Sequence, residues 1–208
     1  MADLPFDLDP GLAEQLAAVL DVEGKIPRAL DALGPIGGRD VVLVDGTDGI
    51  RARQLRDLGG RVTLVDPKGP APFDVPADSA DVLVAAWSAF RGAPRDELAQ
   101  ADRILRPDGR LLVVQDYGRD DVTRLVGEPT EPLAWSKRDG PYLSAGFKVR
   151  VIHCFWTFPS IEDAGVFLAA AFGDAGRTVH AGMTRPRITY NVAVFHRTFG
   201  ATAKKELA

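Results

Sequence analysis

Four short, densely apolar runs constrain this chain more than any other feature. They are VVLV (Val41 to Val44), RVTLVD (ending at Asp66), DVLVAAW (Asp81 to Trp87) and LLVV (Leu111 to Val114). A strand with one wet face alternates polar and apolar residues, whereas a solidly apolar strand has to be covered on both faces. Segments of helical period lie between these runs: Ile50, Leu55 and Leu58 after the first, then Leu98, Ala101 and Leu105 behind Pro94. Strand, helix and strand in repetition mean an α/β fold, with a Rossmann-like, doubly wound, mostly parallel sheet. Pro67, Pro70, Pro72 and Pro76 crowd the connection from Asp66 to Ala80. Proline at that density forbids a helix, so this connection is expected to be extended or irregular.

The flanking segments read differently. Leu12, Leu16, Val19 and Leu20, then Ile26, Leu30 and Leu33, recur at helical spacing. Residues 1–36 are therefore expected to form helices that pack on the core, the second closed by Gly34 and Pro35. RPDGR (Arg106 to Arg110) is expected to be a tight turn. Residues 119–147 are polar and broken by proline and glycine, and read as a loop-rich lid over the strand ends. FKVRVIHCFW alternates like a strand with one wetter face, and TYNVAVFH is the last strand. This late pair is expected to add at one edge, with the C-terminal strand antiparallel. Between them Ser160 and Asp163 form a capping box ahead of Ala164, Phe167, Leu168 and Ala171. Residues 198–208 are expected to be a flexible tail, leaving 37–197 as the main domain.

Composition narrows the partners. The chain has 208 residues and a formal net charge of -4, which argues against a partner held mainly through phosphates, so nucleic acid is not expected. Cys154 is the sole cysteine, which leaves no intramolecular disulfide and no thiolate metal cluster. The opening MADLPFDLDP lacks the plan of a signal peptide, and no apolar run approaches the ~20 residues of a membrane span. A cytoplasmic protein without a membrane partner is the expectation, and a homodimer is compatible with it. His153 reads as a satisfied, partly buried histidine in a strand. His180 and His196 stand apart without a second ligand at metal spacing, so no metal is expected.

In open α/β sheets ligands bind beyond the carboxyl ends of the strands, near the reversal of strand order. That selects Asp45 to Gly49, Asp66 with Pro67, Trp87 to Phe90, and Asp116 to Arg119. Each has a plainer reading. DGTDG (Asp45 to Gly49) could be a turn in which Thr47 or Asp48 caps the next helix, and Asp66 could be a polar strand end. Trp87 and Phe90 could be packing residues, and Arg119, Arg124, Lys137 and Arg138 a solvated loop face. No Gly-x-Ser-x-Gly elbow and no phosphate-loop lysine occurs, which removes the best support for hydrolase readings. Nor is there a Gly-x-Gly-x-x-Gly turn for a nicotinamide cofactor.

Over residues 37 to 197 the chain resembles the class I S-adenosylmethionine-dependent methyltransferases of the small single-domain type. The resemblance is carried by the first strand with its glycine-containing turn, and by Asp66 seventeen residues after Gly49. PADSADVLVAAWSAF and ADRILRPDGRLLVVQDYG are similar to the family's later segments. It implies a transferase that uses S-adenosylmethionine as cofactor and methylates a small molecule. Because the proline-rich connection stands where the family has a further helix and strand, it also implies a sheet lacking one edge helix-strand unit. Asp45, Gly46, Thr47, Asp48 and Gly49 would surround the methionine part, Asp66 with Pro67 the ribose, and Trp87 the sulfur or adenine. Asp116 would be the base or acceptor-orienting group, and Tyr117 a positioning hydroxyl. The glycine motif is degenerate. Aligned on Gly49, the family's motif acid falls on Leu43 and its earlier glycines on Asp45 and Thr47. A one-residue slip, with Asp45 as the acid and Gly46 as its glycine, is the other alignment. These departures motivate a second expectation: a catalytically inactive, methyltransferase-like binding or scaffold protein that has lost the cofactor.

Overall fold

The computed structural model describes residues 5–44, 49–67, 73–127 and 134–199. Helices α1 (Pro10–Val19) and α2 (Lys25–Leu33) precede β1 (Asp40–Val44), α3 (Ile50–Asp57), β2 (Arg61–Val65) and β3 (Ala80–Ala86). Then come α4 (Arg95–Ile104), β4 (Leu105–Asp116), α5 (Asp121–Val126), the short α6 (Pro141–Ser144), β5 (Lys148–Thr157), α7 (Ile161–Ala181) and β6 (Arg187–Thr198). The six strands make one sheet in the order β2-β1-β3-β4-β6-β5.

The first four strands are parallel, in register Val44↔Val65, Val44↔Ala85 and Ala86↔Val114. A parallel pair needs a crossover, and the two crossover helices take opposite faces of the sheet. Ala52 and Leu55 of α3 join a core with Leu16, Ile26, Leu30, Val84, Leu112 and Trp156. Ala101 and Ile104 of α4 join the other, with Val42, Leu83, Leu111, Val113 and Phe195. The sheet is thus doubly wound, with its reversal between β1 and β3. Among the described residues between Asp66 and Ala80 there is no strand, so the expected edge unit is missing.

The late strands add at one edge, as expected. β6 lies between β4 and β5 and is antiparallel to both, so β5 forms the edge and runs with the parallel set. β6 continues through Thr198 and Phe199 is 4% exposed, so the fold extends two residues into the expected tail. Leu105 begins β4 rather than ending α4. RPDGR is an excursion within that strand, where the pairing jumps from Ala80↔Leu105 to Val82↔Arg110. In the expected lid, Trp135, Tyr142 and Phe147 are buried on the second face. Tyr142 stacks on Phe195 at 3.8 Å and donates its hydroxyl to the Phe90 carbonyl at 2.6 Å.

The helix after Ser160 is longer than its sequence pattern suggests. The Ser160 hydroxyl accepts from the Asp163 N–H at 3.0 Å, as a capping box requires. At Gly173 (φ 57°, ψ −127°) the chain leaves helical geometry, which divides α7 into two arms. The arms run back along each other. A Cβ on Gly165 would lie 2.7 Å from His180 Nε2, and one on Gly176 would overlap the Leu168 carbonyl.

At the amino ends of the strands an ionic network joins β1, β2, β3 and β4. Asp40 accepts from Arg61 Nε at 2.6 Å and from Arg106 at 2.9 Å, while Arg106 also reaches Asp81 at 3.1 Å. The Arg61 and Arg106 hydrogen bonds hold the Asp40 carboxyl down at about 2. A lowered carboxyl pKa gives stability that is present above the ordinary value of 3.8 and lost as the pH falls toward 2. The melting temperature of Asp40→Asn is therefore expected to lie below that of the parent at pH 7. The gap should narrow as the pH is lowered from 4 toward 2, and a gap that stays constant would contradict the assignment.

Candidate functional site at the carboxyl rim of the sheet

The registers place the sequence candidates on one rim. Asp66 and Pro67 follow Val65, which pairs with Val44, so they stand beside the turn that leaves β1. Asp45, Gly46, Thr47 and Asp48 of that turn lie outside the described residues. Gly49 is the N-cap of α3, in extended backbone (φ −85°, ψ −161°), and brings no capping side chain. The first-turn N–H groups of a helix have no partners within it, and α3 begins at Ile50, directly after Gly49. Asp66 is exposed on the neighbouring strand end.

Trp87 follows β3, its N–H bound to the Val114 carbonyl at 3.0 Å. Its φ of 55° is unusual for a bulky residue. That backbone turns the ring inward, leaving it 7% exposed, and its indole N–H donates to Asp116 Oδ1 at 3.0 Å. Tyr190 of β6 donates its hydroxyl to the same oxygen. The Trp87 and Tyr190 rings stack at 6.5 Å, and the guanidinium of Arg51, a buried residue of α3, lies 5.7 Å from the Trp87 centroid. Phe90 belongs to the second core rather than to the rim.

Asp116 is the electrostatic centre of this cluster. Burial raises its carboxyl pKa above the ordinary value, against the opposing hydrogen bonds from Tyr190 and Trp87. Burial and the nearby carboxyl push the Tyr190 phenol well above its ordinary value, so it serves as a donor. Among the described residues Asp116 Oδ2 accepts no hydrogen bond. Tyr117 does not join Asp116. It packs against the second core, while its N–H donates to the Asn191 carbonyl at 2.9 Å.

Three residues of the rim were not evident from the sequence. Tyr190 and Asn191 begin the antiparallel strand, so their approach to Asp116 and Asp120 depends on a pairing between distant segments. Asp120 caps α5 through the Thr123 N–H at 2.8 Å and also accepts from the Asn191 N–H at 2.6 Å. The only sequence signal was the density of polar residues in DYGRDD and TYN. His153 is hydrogen-bonded, with Nδ1 2.7 Å from Asn191 Oδ1, but it is exposed rather than partly buried. Among the described residues no helix is long and apolar enough to cross a membrane.

Solved structures of similar fold include several proteins assigned as methyltransferases. A protein assigned as a type II methyltransferase from Anaeromyxobacter dehalogenans superposes with a TM-score of 0.54 at 19% identity, covering 83% of this chain and 94% of its own. A protein assigned as a methyltransferase from an antibiotic biosynthesis pathway of Anabaena variabilis gives 0.53 at 15% identity, covering 86% and 98%. A methyltransferase-assigned chain solved in complex with the Haloferax volcanii Trm112 methyltransferase activator gives 0.52 at 20%, covering 89% and 94%. In sequence, the human protein Roundabout homolog 3 is 25% identical over 162 residues, which are 75% of this chain and 11% of that protein. The chain thus spans about a ninth of that relative's length. No family model matches.

Proposed function

Taking as premise that this chain has the Rossmann-like fold of the class I methyltransferases, we propose that it is an S-adenosylmethionine-dependent methyltransferase acting on a small molecule. One observation carries the reading: the Val44↔Val65 register sets exposed Asp66 beside the carboxyl end of β1, on the rim where α3 follows after Gly49. A carboxylate suits the paired hydroxyls of a ribose, and helix N–H donors suit a ligand carboxylate. The donor set therefore fits the cofactor, with Asp66 and Pro67 at the ribose and Asp45 to Gly49 around the methionine part.

When bound, the cofactor supplies a methyl group on a sulfonium, open to in-line displacement. The protein's share is to position the acceptor and to take its proton. Asp116 Oδ2 is the accepting atom in this reading. Trp87 and Tyr190 hold the other oxygen, and burial raises the carboxyl's affinity for a proton. Asp116 would take the proton that the acceptor heteroatom loses on methylation. Trp87 would wall the reacting centre, and Tyr117 would orient from the other side of the strand ends. The small molecule is the partner in this reading, and the first part of the 119–147 segment would border its entry.

A specific contact favours the second reading, a cofactor-free binding or scaffold protein. The Ser88 hydroxyl donates to the Val44 carbonyl and so bridges β1 and β3 at the reversal of strand order. Thermal unfolding with S-adenosylhomocysteine separates the two. At about a hundred times the dissociation constant a ligand adds ~2.7 kcal/mol, or about 5–10 °C for a domain of this size. The parent is expected to shift by that amount. Asp66→Ala, an exposed strand-end change, should melt like the ligand-free parent and not shift. An equal shift in both would remove Asp66 from the site, and no shift in either would leave the cofactor-free reading.

A further inference from the structure

A second concavity flanks this rim, and its chemistry is unlike that of the rest of the chain. The second arm of α7, the turn after it and the start of β6 enclose about 550 Å³ against Phe155 and α5. Phe155, Val179, Met183 and Ile188 give it an apolar floor. Its wall carries Arg124, Arg185 and Arg187 against one carboxylate, Asp121. Asp121 is already engaged: it accepts from the Thr189 N–H at 2.9 Å and pairs with Arg124 at 3.1 Å. The Arg187 guanidinium lies 4.4 Å from the Phe155 centroid, which is cation–π contact. Among the described residues neither Arg185 nor Arg187 has a carboxylate within ion-pair distance. In a chain of net charge -4, three guanidinium groups around an apolar hollow form a local reversal of sign.

We propose that this cavity binds a small molecule that joins an anionic group to an apolar body, and that this molecule is the methyl acceptor. Arg185 and Arg187 would hold the anion, for which planar guanidinium groups offer paired N–H donors. The apolar body would lie on Phe155, Val179 and Ile188. The wall leads toward the rim, through a last hollow of only about 10 Å³ that has to widen before an acceptor can reach Asp116. Asp121, Arg124 and Thr189 also line an adjoining hollow with Asp120 and Thr123. Asp120 and Thr123 in turn border the hollow next to Asp116 and Tyr190. An acceptor anchored by its anion at Arg185 would extend its other end along α5 toward Asp116. Calling the ligand an acceptor rests on the transferase reading above, whereas its binding does not.

The test uses three probes of one shape, 1-naphthoate, 1-naphthyl phosphate and neutral 1-naphthamide, titrated by their fluorescence into the full chain. The proposal expects at least one anion to bind tenfold or more tightly than the amide, and the stronger anion identifies a carboxylate or a phosphate ester. Arg185→Glu and Arg187→Glu, both at exposed positions, should each lower that affinity tenfold or more. Thr178→Trp, which fills the hollow from the exposed side of α7, should abolish it. Equal binding of all three probes, or unchanged affinity in these variants, would overturn the proposal. S-adenosylhomocysteine binding, measured on the same variants, is expected to stay at the parental value. If that ligand fails to bind the parent while the naphthyl anions bind, the cavity stands and only its assignment to an acceptor falls. Loss of S-adenosylhomocysteine binding in Arg185→Glu would instead place the cavity within the cofactor site and overturn it as a separate one.

Discussion

Gly176→Ala is expected to lower the melting temperature by roughly 2–12 °C. The arms of α7 approach so closely at this residue that a Cβ would overlap the Leu168 carbonyl. That neighbour is backbone, which cannot rotate aside, so the arms must separate. Overpacking of this kind costs about 1–3 kcal/mol, and each kcal/mol moves the midpoint by about 2–4 °C at this size. Gly182→Ala is the matched control. Gly182 has an αR backbone (φ −91°, ψ −2°), and its nearest atom, the Val179 carbonyl oxygen, would be an ordinary 3.7 Å from a Cβ. It should melt within about a degree of the parent, because surface changes away from such contacts usually stay within ~0.5 kcal/mol. Equal melting of Gly176→Ala and Gly182→Ala would contradict the paired arms. The consequence reaches function, since the second arm of α7 forms one wall of the anion-binding cavity.

The other large effect is at Asp116, where two substitutions of similar size should behave in opposite ways. Asp116→Ala leaves the Tyr190 hydroxyl and the Trp87 indole N–H without their shared acceptor. An unsatisfied buried donor costs about 1–3 kcal/mol, so two of them predict a fall of several degrees or more in melting temperature. Asp116→Asn keeps an oxygen for both donors and removes the charge that burial penalises. The sign follows from the raised carboxyl pKa. Folding raises the carboxyl's affinity for a proton, so the stabilising contribution of the protonated form is complete at acid pH. It is lost as the pH rises from the ordinary value of 3.8 through the raised one. The melting temperature of Asp116→Asn relative to the parent should therefore increase between pH 4 and pH 7. Both variants should lose methyl transfer by a hundredfold or more, the range for removal of a positioned base. A fully active Asp116→Asn would leave Asp116 with a structural role alone.

The residues explain why the architecture was legible and the site only half so. VVLV and LLVV admit one environment, burial on both faces, and the four prolines after Asp66 forbid the missing unit. Those are local constraints, and the sheet obeys them. The placement of β6 between β4 and β5 has no local signature, because either order buries the same alternating residues. Asp116 could be named from its strand end, but its partners could not: Tyr190 is 74 positions away and meets it only through that antiparallel pairing. The reversal in α7 was hidden for a related reason. Phe167 and Leu168 read as one amphipathic helix, and Gly173, which folds it back, and Gly165 and Gly176, which let the arms meet, mark their purpose only once the arms are seen together.

Calorimetric titration of S-adenosylhomocysteine into the full chain tests the central claim most directly, that the strand ends around Gly49 and Asp66 still accept an adenosyl ligand. The account predicts saturable heat with one ligand per chain, abolished by Asp66→Ala. No heat up to millimolar ligand, from a protein that melts cooperatively, would contradict it and leave a methyltransferase fold put to another use.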